Sequence, residues 1–167
     1  PITEIQSRLQ HAELICSDET GARVAGKTQW EWVFQNEDVC FHIICPTRGA
    51  SVIYSVLGDH APQTWVSDLF SAQRNHPGVQ WQVCLAHQLR DLQFAIDAGD
   101  AVFAPVMKRL LLRALAIHKR RDTLAVSTHY QYRLDIKRRL RRCLDLDPDQ
   151  ADGIRLRKRY EAIQQNL

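Results

Sequence analysis

Two acid-bearing stretches of this chain have the residue types for chemistry. Residues 14–16, Leu-Ile-Cys, run straight into Ser17, Asp18, Glu19, Thr20 and Gly21: an apolar lead, adjacent carboxylates and a glycine able to turn the chain. Further on, Thr64, Trp65, Val66 and Ser67 lead into Asp68. Each stretch reads as a short buried strand with an acid at its end. A carboxylate in such a place is costly unless an Arg, a Lys or a divalent metal meets it. Enzymes that cut nucleic acid hold two divalent metals roughly 4 Å apart between carboxylates, and magnesium prefers such oxygen donors. Capping and turn chemistry account for the same spacing, so spacing alone leaves both uses open.

Cys84, Leu85, Ala86 and His87 form a Cys-x-x-His step where a strand meets a helix. Zinc would need a second pair of ligands there, with Cys40 and Cys45 as conceivable partners inside a strand. The plainer use is a buried cysteine with a hydrogen-bonded histidine, and a third is that His87 positions substrate beside the acids. A basic run supplies the other candidate surface. Residues 108–142 hold twelve Lys or Arg against two Asp or Glu. Within it Lys119, Arg120, Arg121, Arg138, Arg139, Arg141 and Arg142 are suited to phosphates or to a solvated helix face. No aromatic platform interleaves with them, so base stacking is not indicated. Arg48 and Arg90 stand apart, each fit for a phosphate or an acid. No glycine-rich phosphate loop and no known cysteine-nucleophile signature is present.

The elements that must position these groups follow from periodicity. Residues 1–10 repeat Ile2, Ile5 and Leu9 at helical spacing. Residues 13–17 form the first strand, and Gly26 and Lys27 a turn. Residues 29–35 alternate, with Trp30, Trp32 and Phe34 on one face. Asn36, Glu37 and Asp38 suit a hairpin turn, and residues 39–45 a third strand. Residues 49–57 change to a helical stripe of Val52, Ile53, Val56 and Leu57, stopped by Gly58. A fourth strand over 64–67, a short helix near Phe70, a turn at Asn75, His76, Pro77 and Gly78, and a fifth strand over 79–84 follow. Residues 86–98 form an amphipathic helix carrying Leu89, Leu92 and Ile96. Three more helices are expected: one from a cap at Asp100 to about Lys119, one over about 128–144, and one started by Asp147 and Pro148. Gly153 weakens the last by about 1 kcal/mol. Strand–helix–strand steps give parallel neighbours, so the expected fold is α/β: a mixed five-stranded sheet with helices on both faces, followed by an all-helical region. Asp18 and Asp68 then come from strand ends that can lie side by side.

Composition sets the outer limits. The chain has 167 residues, enough for one ordinary domain. It begins with Pro1 and its only methionine is Met107, so we expect a piece of a longer or processed protein. No apolar run approaches the roughly 20 residues of a membrane span, and five cysteines without a framework suit a reducing cytoplasm. Residues 1–90 carry six Lys or Arg and nine Asp or Glu, whereas residues 91–167 carry sixteen and ten. An acidic half and a basic half suggest metal holding in one and polyanion contact in the other.

Taken in order, these motifs resemble a known family. They are Asp18-Glu19-Thr20-Gly21, Gly26-Lys27, Trp30-x-Trp32-Val33, Arg48-Gly49-Ala50, Ser67-Asp68 and Cys84-x-Ala86-His87-x-x-Arg90-Asp91. The set is similar to the catalytic domain of DDE-type bacterial insertion-sequence transposases, closest to the insertion-sequence-66 group, over nearly the whole chain. The resemblance implies a ribonuclease H-like fold, with its first part over residues 1–99 and a helical insertion over 100–167. It implies that Asp18 and Asp68 are the first two acids of a triad holding magnesium or manganese, with His87 as a helper. It also implies cleavage at transposon ends and strand transfer into target DNA, by a homo-oligomer on DNA in the bacterial cytoplasm, at the nucleoid, without a membrane. The family's third acid is a Glu in an Asn-Asn-x-x-Glu-Arg segment, which nothing in residues 1–167 matches. That departure keeps open a non-catalytic, domesticated DNA-binding or regulatory protein; the other alternative is a different ribonuclease H-like nuclease, against which the long helical insertion and the Cys-x-x-His step argue.

Overall fold

The computed structural model describes residues 2–74 and 80–167. The expected turn at Asn75 to Gly78 and the start of the fifth strand at Val79 lie outside them. The chain forms two compact units, Pro1–Cys84 together with Asn166, and Leu85–Gln165 together with Leu167. The boundary drawn from sequence, after residue 99, assigns the first helix of the second unit to the sheet instead.

In the first unit, α1 (Ile2–Leu9) precedes β1 (Leu14–Val24), β2 (Lys27–Gln35), β3 (Cys40–Cys45), α2 (Ser51–Leu57), β4 (Thr64–Ser67), α3 (Ser71–Arg74) and β5 (Gln80–Val83). The sheet order is β3-β2-β1-β4-β5. β1, β2 and β3 pair antiparallel, whereas β1–β4 and β4–β5 are parallel, so the sheet is mixed as expected. The β1–β2 hairpin closes through Ala25 and Gly26, whose φ angles are 49° and 77°. Two successive left-handed residues make the tight turn whose twist suits a hairpin.

One expectation fails here in an informative way. Gly21 turns nothing: it lies inside β1 opposite Trp30, and the strand continues to Val24. Asp18 is therefore not at a strand end. Its antiparallel partner β2 holds β1 straight through it, with Asp18 opposite Val33. On the other side, pairing with β4 is recorded only from Leu14 to Cys16. Asp18 stands where β1 has outrun its parallel neighbour.

Alternation along β1 separates the two sheet faces. Ile15, Ser17 and Glu19 are buried, whereas Cys16 and Asp18 are half-buried. The buried face carries the core. Trp32, Phe34 and Trp65 are fully buried there, packed with Ile15, Leu9 of α1 and the Val52, Ile53, Val56, Leu57 stripe of α2. Trp32 and Phe34 stack at 6.0 Å between ring centroids. Trp30 packs against this cluster, as the aromatic alternation of β2 requires. The helices of this unit all engage that one face. α3 does so through Gln73, whose amide donates to Ser17 Oγ at 3.1 Å.

The second unit is helical: α4 (Leu85–Asp97), α5 (Phe103–His118), a short 3-10 turn (Arg121–Thr123), α6 (Val126–Leu144) and α7 (Ala151–Ile163), ending in another such turn. Asp100 is buried and caps α5, accepting from the amides of Val102, Phe103 and Ala104 at 3.1, 3.3 and 2.7 Å. α7 is capped by Gln150, not by Asp147. Its side-chain oxygen takes the amides of Asp152 and Gly153 at 2.6 and 3.0 Å. Gly153 is no mere weak point of α7. A Cβ there would lie 2.6 Å from Asp100 Cγ, so the cap of α5 and the first turn of α7 approach closely only because that position lacks a side chain.

Candidate active site

The two acids singled out by sequence come to one level of the sheet. β1 pairs with β4 as Leu14 with Thr64, Ile15 with Trp65 and Cys16 with Val66. Extended by two residues, that register sets Asp18 level with Asp68, just beyond the last residue of β4. Neighbouring strands lie about 4.8 Å apart. The pairing of Ser67 with Val83 likewise puts Cys84 level with Asp68, and the Cys84 amide donates to Ser67 O at 2.7 Å. Asp18, Asp68 and Cys84 thus follow one register row, Asp18 being half-buried on the face opposite the core.

Local hydrogen bonds fix each acid. Asp18 Oδ1 accepts the Glu19 amide at 3.0 Å. Asp68 Oδ1 accepts the Phe70 amide at 2.8 Å, a turn that halts β4. Buried Ser67 accepts from Trp81 Nε1 at 2.9 Å and donates to the Asp68 carbonyl at 3.1 Å, which ties the end of β4 to β5.

Glu19 has a different role, one that sequence reasoning missed. Its side chain is fully buried and receives Arg48 Nε at 2.9 Å and Arg48 Nη2 at 2.7 Å on one oxygen. Gln73 Nε2 donates to the other at 2.6 Å. The Arg48 guanidinium lies 4.7 Å from the Trp30 ring and 3.8 Å from the Phe70 ring. Phe70 is also the residue whose amide holds Asp68. A continuous chain therefore runs from Glu19 through Arg48 and Phe70 to Asp68, and it anchors the segment after β4. Burial pushes the Glu19 carboxyl above its ordinary range; hydrogen bonds from Gln73 and Arg48 oppose this, and the charge of Asp68 adds to it. Arg48, left open between phosphate and acid by sequence, belongs to the acid. The available signal was a basic residue just before α2, but its partner lies 29 positions away in sequence.

The fit to a divalent cation can be tested on these groups. Asp18 and Asp68 offer hard oxygen donors on one row, and the charge of Asp68 is felt as far as Glu19. A cation on that row would relieve the repulsion. The donor set therefore suits magnesium or manganese, as two ligands. Among the described residues no three His, Cys, Asp or Glu side chains gather as a metal-holding group.

His87 lies half-buried in the first turn of α4, in the helical unit. The predicted basic residues are all exposed: Lys119, Arg120 and Arg121 at the end of α5 and in the turn after it, and Arg138, Arg139, Arg141 and Arg142 on α6. They are not equivalent. Asp135 takes Arg138 Nη2 at 2.6 Å, Arg139 Nε at 2.7 Å and Arg113 Nη2 at 3.3 Å. The hydrogen bonds from Arg139 and Arg138 hold its carboxyl below the usual range. Arg139 and Arg142 also line an open groove of about 460 Å³ with Arg109 and Arg113 of α5, over a floor of Val106, Leu110, Cys143 and Leu146. Arg109 and Arg113 were not singled out from sequence, although their four-residue spacing puts them on one helical face.

No helix among the described residues is long and apolar enough to cross a membrane. Neither the curated proteins nor the solved structures include a match to this chain. A family model does match, described as Transposase IS66 family, over residues 2–160. That span takes in β1 with its acids, the Asp68 turn, the Cys84-to-Asp91 step and nearly all of the helical unit. The chain belongs to the IS66 family of insertion-sequence transposases.

Proposed function

We propose that this chain supplies the sheet and the first two metal-holding carboxylates of a ribonuclease H-like DNA transposase. The activity is cleavage at transposon ends followed by transfer of the freed 3′-hydroxyl into target DNA. The observation that carries the reading is the common level of Asp18 and Asp68 on adjacent parallel strands, within a chain of the IS66 family. The sheet order β3-β2-β1-β4-β5, with its antiparallel and parallel halves, supports the ribonuclease H-like part. The all-helical second unit agrees with an insertion.

In this reading Asp18 and Asp68 hold magnesium or manganese, which when bound supplies Lewis-acid stabilisation of charge on the phosphoryl oxygens. The chain's own residues do the positioning. β2 keeps Asp18 in extended backbone, and the Asp68 turn is braced by Phe70 against Arg48. His87 keeps a substrate-positioning role through the Cys84-x-x-His87 motif of the family. The DDE chemistry needs a third carboxylate, which residues 1–167 do not supply in the family's motif. Exposed Lys119, Arg120, Arg121, Arg141 and Arg142 meet DNA phosphates without reading sequence; Arg138 and Arg139 do so at the expense of Asp135.

The test is strand transfer by the full-length protein with magnesium, beside its Asp68→Asn variant. Loss of transfer with DNA binding retained supports the reading. Retained transfer refutes the metal assignment. A full-length protein that binds DNA but shows no transfer would instead favour the non-catalytic reading.

A further inference from the structure

The open face of the sheet carries a second constellation at its far edge. β3 alternates so that Cys40, His42 and Ile44 are exposed while Phe41 is buried. On neighbouring β2, Gln35 lies opposite Cys40, Val33 opposite His42 and Glu31 opposite Ile44. His42 Nε2 is 3.2 Å from Cys40 Sγ, and His42 Nδ1 is 3.0 Å from Glu31 Oε1. A carboxylate only accepts hydrogen bonds, so Nδ1 carries the proton. In the neutral ring Nε2 is then a bare acceptor, and it faces the thiol. Gln35 Oε1, at 3.7 Å, is the thiol's other neighbour.

We propose that Cys40 is a base-activated thiol and a site of covalent modification by small soft electrophiles and peroxides. His42 takes the thiol proton, and Glu31 fixes the ring and steadies the imidazolium. This is nucleophile, base and orienting acid in one line. With an alkyl halide, the sulfur–carbon bond forms, halide leaves and the proton stays on His42. With a peroxide, sulfur attacks one oxygen and the O–O bond breaks. The thiol is oxidised to a sulfenic acid, and the departing oxygen takes the proton from His42 to leave as water or an alcohol.

The other thiols lack this setting. Cys143 is buried, and burial pushes it up to about 12. Cys16 is pushed up by burial and then by the charge of Cys84, and Cys16, Cys45 and Cys84 are only partly accessible. Position gives the modification a consequence. Asp18 pairs with Val33 and Val33 with His42, so the triad and Asp18 share one face, two strand spacings or about 10 Å apart. An adduct on Cys40 would sit on the same open face as Asp18, level with Gln35 and Cys16.

The experiment is a peptide-resolved alkylation time course with iodoacetamide on the folded chain at pH 7, with glutathione as reference thiol. Cys40 should react about fivefold faster than glutathione, because His42 Nε2 stands ready to take the proton as the sulfur attacks. His42→Gln should bring the rate to that of glutathione or below, and Glu31→Gln to an intermediate value. A wild-type rate no faster than glutathione, or an unchanged rate in a folded His42→Gln variant, overturns the proposal. Reaction at Cys143 reports unfolding of a variant, and the wild-type comparison then decides. None of these outcomes depends on the transposase chemistry, since the thiol is measured without DNA.

Discussion

The two faces of β1 treat consecutive carboxylates in opposite ways. Glu19 points to the covered face, where Arg48 and Gln73 satisfy both of its oxygens from within the chain. Asp18 points to the other face, held by a backbone amide and level with a second acid. A buried carboxylate met by a guanidinium is an anchor. Two carboxylates brought to one level of a sheet offer paired oxygen donors to a cation. The lesson is that adjacent acids in a strand are not interchangeable. The pleat turns Glu19 into the core and Asp18 to the open face, and a one-residue slip would exchange them.

Asp18→Asn in the full-length protein should reduce magnesium-dependent strand transfer at least about a hundredfold while changing unfolding free energy by no more than about 0.5 kcal/mol. Glu19→Ala should do the reverse at the level of folding. Removing one partner of a buried pair strands the other, and we expect a loss of about 3 kcal/mol, the low end because Arg48 is a third exposed. Urea unfolding measures both. If Asp18→Asn were the more destabilising variant, the assignment of faces to roles would be wrong.

A second anchor sharpens the point from the helical unit. Gly153→Ala should cost about 2 kcal/mol, since its Cβ would press on the buried, triply bonded Asp100 carboxylate. A neutral effect in thermal unfolding would mean that Asp100 is free to move. The pH dependence of Glu19 is smaller and has a fixed sign. Its carboxyl is raised in the folded state, so the contribution to stability that titrates with it is fully present below the ordinary carboxylate range. That contribution is lost as pH rises through the raised value. The stability of wild type relative to Glu19→Gln should therefore fall as pH rises from the ordinary carboxylate range and level off once the raised group has ionised. A relative stability that rises with pH would contradict burial as the dominant influence. The smallest effect concerns the basic surface. Neutralising Arg141 and Arg142 should lower the salt slope of DNA binding by about 2, and neutralising Arg138 and Arg139 by less, because Asp135 already engages that pair. Equal slopes would show that Asp135 yields its partners to phosphate.

Much of this architecture was legible because it rests on short-range patterns. The Trp30, Trp32, Phe34 alternation placed β2, and the Val52 to Leu57 stripe placed α2 up to Gly58, whose φ is +61°. Ordered motifs pointed to the family, which the match over residues 2–160 bears out. Period and local turn chemistry are carried by neighbours in sequence, so the chain states them directly. The length of β1 was misread because Gly21 has two uses, and only pairing with β2 selects the extended one.

What remained hidden needed partners far apart in sequence. Glu19 finds Arg48 at 29 residues and Gln73 at 54, and Asp135 gathers Arg113 from another helix. The close approach of Gly153 to Asp100, and of Cys40 and His42 to Glu31 on the next strand, are of the same kind. Composition and spacing thus name the acids, the bases and the strands that carry them. Which acid meets an arginine, and which is left level with another acid, is settled by strand register and packing, because an electrostatic partner is chosen by distance in space.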